Sequence, residues 1–170
     1  MAPKILVVDD HEIVREGIRT LIGRSRPDWI ICGEASNAKQ ALEAVKGLNP
    51  DIVILDITMP GTSGLEAAME MAKSRAHCKI LMFTMHESER LATEVRNVGA
   101  QGYVLKSQAA RDLVLAIESI LRGGTFFGAP SEHQGSSQDK PQGGLVFCKR
   151  LVHAIARGAS IQRLCGDASS

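Results

Sequence analysis

"IVILDITMPG", Ile52 to Gly61, sets an unbroken apolar run directly against an aspartate and then breaks into Met-Pro-Gly. Ile52 to Leu55 leave no polar position for water, which suits a strand covered on both faces, as in a parallel sheet. Pro60 and Gly61 then force a turn. The reading therefore puts a carboxylate, Asp56, at the carboxyl end of a buried strand, where open α/β sheets hold their ligands.

The same kind of run recurs on both sides: Ile5 to Val8, Trp29 to Ile31, Ile80 to Phe83 and Tyr103 to Leu105. Between the runs, apolar residues fall at helical spacing. The stripes are Val14, Ile18, Leu21 and Ile22; Ala38, Ala41, Leu42 and Val45; Leu65, Ala68, Met69 and Ala72; Leu91, Val95 and Val98; and Leu113, Ile117, Ile120 and Leu121. Ser36 and Ser88 stand where N-caps are needed. Five strand–helix units through Gly124 predict a five-stranded, doubly wound parallel α/β sheet.

Bulk properties narrow the function. A chain of 170 residues with 44% hydrophobic content can bury a core. With 20 basic and 19 acidic residues the formal net charge is +1, so no global field recruits nucleic acid or an anionic membrane. Cys32, Cys78, Cys148 and Cys165 form no CxxC pair, and the amino terminus carries no signal-peptide core; reduced thiols in the cytoplasm are the expectation. Apolar stretches fall short of the roughly 20 residues that span a bilayer, so no membrane partner is expected.

Strand ends carry the chemistry. The first run ends in Asp9-Asp10, the third in Asp56, the fourth in Thr84 and the fifth in Lys106. Each has a bland reading on its own: a helix cap, a solvated strand end, a surface lysine. Together they crowd three carboxylates at one sheet edge, and two charges 4 Å apart cost about 4 kcal/mol at an effective dielectric near 20. Such a cluster calls for a cation. Lys106 supplies one charge, and an oxygen-rich set suits hard Mg²⁺ better than zinc. His11 and His86 lie near the cluster in sequence and are read as exposed neighbours without a role.

Asp9-Asp10, the aspartate of Leu55-Asp56-Ile57-Thr58-Met59-Pro60 with Gly64 after it, Thr84 and Tyr103-Val104-Leu105-Lys106 together resemble the receiver domain of two-component response regulators, over residues 4 to about 124. The stretch "GAQGYVLKSQAARDLVLAIESILRGGTFF" resembles the subfamily whose receivers carry a helix-turn-helix DNA-binding domain. The resemblance implies a flavodoxin-like (βα)5 fold. It implies that Asp56 accepts a phosphoryl group from a histidine kinase, as nucleophile. Mg²⁺ would be held by Asp10, Asp56 and the Thr58 carbonyl, with Asp9 reaching it through water. Lys106 and the Thr84 hydroxyl would bind phosphoryl oxygens, and Thr84 with Tyr103 would form the conformational switch. Phosphorylation-dependent homodimers and a role in transcription regulation are further implications. On this reading the chain is no enzyme beyond its own phosphorylation and dephosphorylation. Met85 is bulkier than the small residue usual after that threonine, and would slow access to the site.

Three segments are expected: residues 1–124 as receiver, 125–143 as a Gly-, Ser-, Gln- and Pro-rich flexible linker, and 144–170 as a short tail, read as weakly ordered in preference to the one basic amphipathic helix its spacing allows. A helix-turn-helix output domain needs several helices and about 60 residues, so the tail reads as truncated or frame-shifted and no sequence-specific DNA binding is expected. Two other classes compete. An aspartyl-phosphate hydrolase would need a carboxylate where Thr58 stands, and a pseudo-receiver serving only as an interaction module would lack one of the five polar positions, all of which are present.

Overall fold

The computed structural model describes residues 2–74, 78–86, 88 and 90–127. The elements alternate strictly: β1 Lys4–Val8, α1 Glu12–Ser25, β2 Ile30–Ala35, α2 Ala38–Leu48, β3 Ile52–Asp56, α3 Gly64–Lys73, β4 Lys79–Thr84, α4 Leu91–Asn97, β5 Gly102–Leu105, α5 Ala109–Leu121 and β6 Phe126–Phe127. A single 3₁₀ turn, Lys106–Gln108, joins β5 to α5. All strands are parallel, in the order β2-β1-β3-β4-β5-β6. The chain reverses direction across the sheet between β1 and β3, which opens a crevice at their carboxyl ends.

Side-chain alternation divides the core. Leu6, Val8, Val53, Leu55, Ile80, Met82, Tyr103 and Leu105 pack in one cluster with Ala41 and Val45 of α2, Ala67, Ala68 and Met71 of α3, and Leu91 and Val95 of α4. Strand residues of the other parity, such as Ile5, Ile52, Ile54 and Leu81, are also fully buried, on the face carrying α1 and α5. β3 is buried along its whole length, Asp56 included, as the opening stretch of sequence requires.

Four local expectations need correction. The sheet has six strands, since Phe126–Phe127 pair with Gly102 and Tyr103 of β5, beyond the boundary placed at Gly124. β2 runs Ile30–Ala35, later than the apolar run Trp29–Ile31, because as an edge strand it tolerates half-buried Cys32 and Gly33 and exposed Glu34. The N-cap of α2 is Asn37, whose side chain accepts the Gln40 amide hydrogen at 3.0 Å, while Ser36 donates its amide and hydroxyl to Gln40 Oε1. Ser88 offers its backbone carbonyl, not its side chain, to the Leu91 amide at 3.1 Å at the start of α4. The linker beyond Phe127 and the tail helix lie outside the described residues. Among the described residues no helix is long and apolar enough to cross a membrane.

Candidate functional site

The carboxyl ends of β1, β3 and β5 meet. Lys106 extends its ammonium to 2.7 Å from Asp9 Oδ2 and 2.9 Å from Asp56 Oδ2, crossing the end of β4 to do so. Asp9 and Asp56 are fully buried, and the Lys106 side chain is 9% exposed. Carboxylate oxygens of Asp9, Asp10 and Asp56 and a ring nitrogen of His11 lie within 4.8 Å of one another. Three acidic groups thus face a single ammonium in a largely dry crevice, where like charges repel strongly. Burial pushes the Asp56 carboxyl above its ordinary range, against the pull of Lys106 and the Thr58 amide and with the push of Asp9.

The backbone around Asp56 is held from behind. Thr58 N–H donates to Asp56 Oδ1 at 3.2 Å, and the Gly64 amide donates to the Ile57 carbonyl at 2.9 Å. A Cβ on Gly64 would stand 1.9 Å from the Asp56 carbonyl oxygen, so only glycine lets α3 start this close to the loop. Ser63 caps that helix, accepting the Leu65 amide at 3.1 Å while its own amide donates to Glu66. On the other side, Asp9 Oδ1 accepts the His11 amide at 2.9 Å, and Arg15 donates to the Asp9 carbonyl at 2.8 Å while holding Glu34.

Whether these residues suit a divalent cation can be judged from the donors. They are hard oxygens. Asp9 Oδ2 and Asp10 Oδ1 are buried without a hydrogen bond; each has only an ion contact from one side, Lys106 for the first and His11 Nδ1 at 3.0 Å for the second. Oxygens with open lone pairs converging on one point fit Mg²⁺.

The predicted residues do not all gather in one arrangement. Asp9, Asp10, Asp56 and Lys106 form the cluster. Thr84 sits at the end of β4, buried, but its hydroxyl is engaged with the backbone of His86, accepting its amide at 3.2 Å and donating to its carbonyl at 3.4 Å. Tyr103 is buried on the sheet face that carries α4, one position along β5 from Gly102, and packs edge-on against Phe127. His11 was read as an exposed neighbour; its side chain is 59% exposed, yet Nδ1 touches both Asp9 and Asp10. Met85 is exposed beside the site. Sequence reading missed Arg15 and Phe127. Arg15 offers no signal, because its target is a backbone carbonyl; Phe127 offers one, an aromatic pair following Gly-Gly in a segment read as linker.

A family model described as "Response regulator receiver domain" matches residues 5–118. The chain is 36% identical over 139 residues to "Response regulator UvrY" of Escherichia coli (strain K12), covering 81% of this chain and 63% of that protein. It is 31% identical over 123 residues to "Transcriptional regulatory protein DegU" of Brevibacillus brevis, covering 72% and 52%. The chain therefore spans between about half and two thirds of the length of these curated relatives. Among solved structures, a two-component response regulator of the LuxR family from Aurantimonas sp. SI85-9A1 superposes with a TM-score of 0.70 at 41% identity, over 75% of this chain and 90% of that one.

Proposed function

The chain belongs to the response regulator receiver family, and on that footing we propose that Asp56 accepts a phosphoryl group from a partner histidine kinase and that the acyl phosphate switches the receiver between two packings. The family's members serve as signalling switches and not as metabolic enzymes, and relatives such as DegU carry names of transcriptional regulators. The observation that supports the reading best is the single ammonium shared by Asp9 and Asp56 at the end of β3. It offsets the repulsion between two buried carboxylates and sets a positive charge beside the oxygen that attacks.

In the proposed step, an ionised Asp56 oxygen attacks phosphorus in line; the new O–P bond forms as the donor's P–N bond breaks, and the donor imidazole leaves. Asp10, Asp56 and the Thr58 carbonyl would hold Mg²⁺, with Asp9 acting through water. The ion, when bound, neutralises charge on the transferring phosphoryl oxygens. Lys106, already 2.9 Å from Asp56 Oδ2, is in reach of a phosphoryl oxygen. Thr84 must leave the His86 backbone to donate its hydroxyl to another. That departure empties space on the sheet face of Tyr103, and a shift of its buried ring into that space would complete the switch.

Self-association on phosphorylation, through the face of α4, β5 and α5, is the expected output in a cytoplasmic setting. The test is incubation of the 170-residue chain with a small phosphodonor and Mg²⁺, read by intact mass. A single adduct that requires Mg²⁺ and is absent from Asp56→Asn is expected. An adduct of undiminished yield in Asp56→Asn overturns the assignment, and absence of any adduct in the wild type favours an interaction module that takes no phosphate.

A further inference from the structure

β6 has no part in the phosphoacceptor chemistry, yet the fold is shaped to receive it. Gly123, at φ 88°, turns the chain at the end of α5. The Gly124 amide then donates to the Ser119 carbonyl at 2.9 Å, and the Ser119 hydroxyl donates to the Thr125 carbonyl at 3.2 Å. Phe126 N–H donates to the Gln101 carbonyl at 3.0 Å, which starts β6 alongside β5. Gly102 lies opposite Phe126, and a Cβ there would stand 1.9 Å from the Phe126 carbonyl oxygen; any other residue would push the strand away. Phe127 then sits with its ring edge-on to Tyr103, centroids 6.3 Å apart, and under the Arg96 guanidinium of α4, 3.9 Å from the ring centroid.

These contacts tie a very short strand to the residue proposed to switch. Tyr103 lies opposite Met82 of β4, two positions before Thr84, so both belong to the same parity and the same sheet face. The edge-on contact with Phe127 exists only while the Tyr103 ring stays where it is. If the ring turns into space left by Thr84, β6 keeps its two-residue pairing, the Phe126–Gln101 hydrogen bond and the Arg96 contact but loses its aromatic partner. Elements with so few contacts open at low cost, which makes them suited to switching.

We propose that β6 is a latch: Phe126–Phe127 closes on Gly102, Tyr103 and Arg96 in the unphosphorylated chain and is released when Asp56 is phosphorylated, so that the state of the site decides whether the chain following Phe127 is held or freed. The proposal rests on the phosphoacceptor reading of Asp56. It also means that the β5 edge of the face expected to self-associate is occupied by the chain's own strand until release.

Hydrogen exchange of the full chain, with intact mass measured on the same samples, tests both. The states are Mg²⁺ alone, Mg²⁺ with a small phosphodonor, and the variants Arg96→Ala and Gly102→Ala in Mg²⁺ alone. With an adduct present, the amide of Phe126, which donates to the Gln101 carbonyl, is expected to exchange at least about tenfold faster while β1 and β3 keep their rates, a change of more than about 1.4 kcal/mol in opening. Arg96 is exposed on α4, so its truncation spares the core and should speed the Phe126 amide without phosphate. Gly102→Ala should do so too. An adduct without faster exchange overturns the latch and leaves the phosphoacceptor standing; no adduct overturns both. Unchanged exchange at Phe126 in the two variants overturns the latch by itself.

Discussion

Replacing Lys106 by methionine removes the ammonium while keeping most of the side-chain volume. In the wild type that ammonium stands 2.7 Å from Asp9 and 2.9 Å from Asp56, both buried. At an effective dielectric near 20, each contact represents a gross attraction of about 6 kcal/mol, most of it offset by the cost of taking three charges out of water. Taking away one member leaves two carboxylates facing each other without a counterion, a situation that costs about 3–5 kcal/mol when an ion pair is buried. Against a total stability of about 5–15 kcal/mol this is severe. With a urea m-value of about 2 kcal/mol/M, the unfolding midpoint of Lys106→Met should fall by about 1.5–2.5 M in metal-free buffer at neutral pH. Two conditions should narrow the gap: acidification, which protonates the carboxylates, and millimolar Mg²⁺, which replaces the missing cation. A variant whose midpoint matches wild type without metal at neutral pH would refute the idea that one lysine neutralises this cluster. Failure of Mg²⁺ to restore any stability would refute the metal assignment.

Asp56→Asn should shift the pH dependence of stability in a defined direction. The folded Asp56 carboxyl is held above its ordinary value by burial, so its contribution is fully present below the unfolded value and is lost as pH rises through the folded one; paired urea titrations should show wild type losing stability relative to Asp56→Asn as pH rises. Gly64→Ala should cost about 1–3 kcal/mol, because its Cβ meets the Asp56 backbone, and should reduce adduct yield more than a remote substitution of equal cost. Arg96→Ala should lower stability by only about 0.5–1 kcal/mol, the range of an exposed cation–π contact, as read by thermal unfolding. Thr84→Ala should still take up phosphate on Asp56 but show no shift toward dimer by sedimentation, since the hydroxyl acts after transfer; loss of the adduct itself would count against that order of events.

Most of the fold was legible because parallel strands covered on both faces must be apolar throughout. Ile52 to Leu55 and Ile80 to Phe83 satisfy that condition, and each ends at a polar residue of the site. Legibility fails where burial is partial. β2 lies at the edge of the sheet, so Cys32, Gly33 and Glu34 break the apolar signal and the strand was placed too early. β6 has two residues, too few for any period, and its opposite number is a glycine that reads as a turn. The clustering of Asp9, Asp10, Asp56 and Lys106 followed from strand ends alone. The orientation of the Thr84 hydroxyl toward His86 did not, because a side-chain rotation leaves no trace in spacing.

Lys106 starts from the end of β5 and finishes on residues at the ends of β3 and β1, passing over β4. Seen as a means of communication, it links β5 to β1, with β3 and β4 between them, within the length of one side chain. A relay of packed residues would have to carry a change at Asp56 through each intervening strand, losing part of it to local slack at every step. A lysine that changed partner would pass the message in one move, to the residue directly after β5. Because the ammonium has one tether and two acidic partners, a change at either carboxylate would be felt at the end of β5.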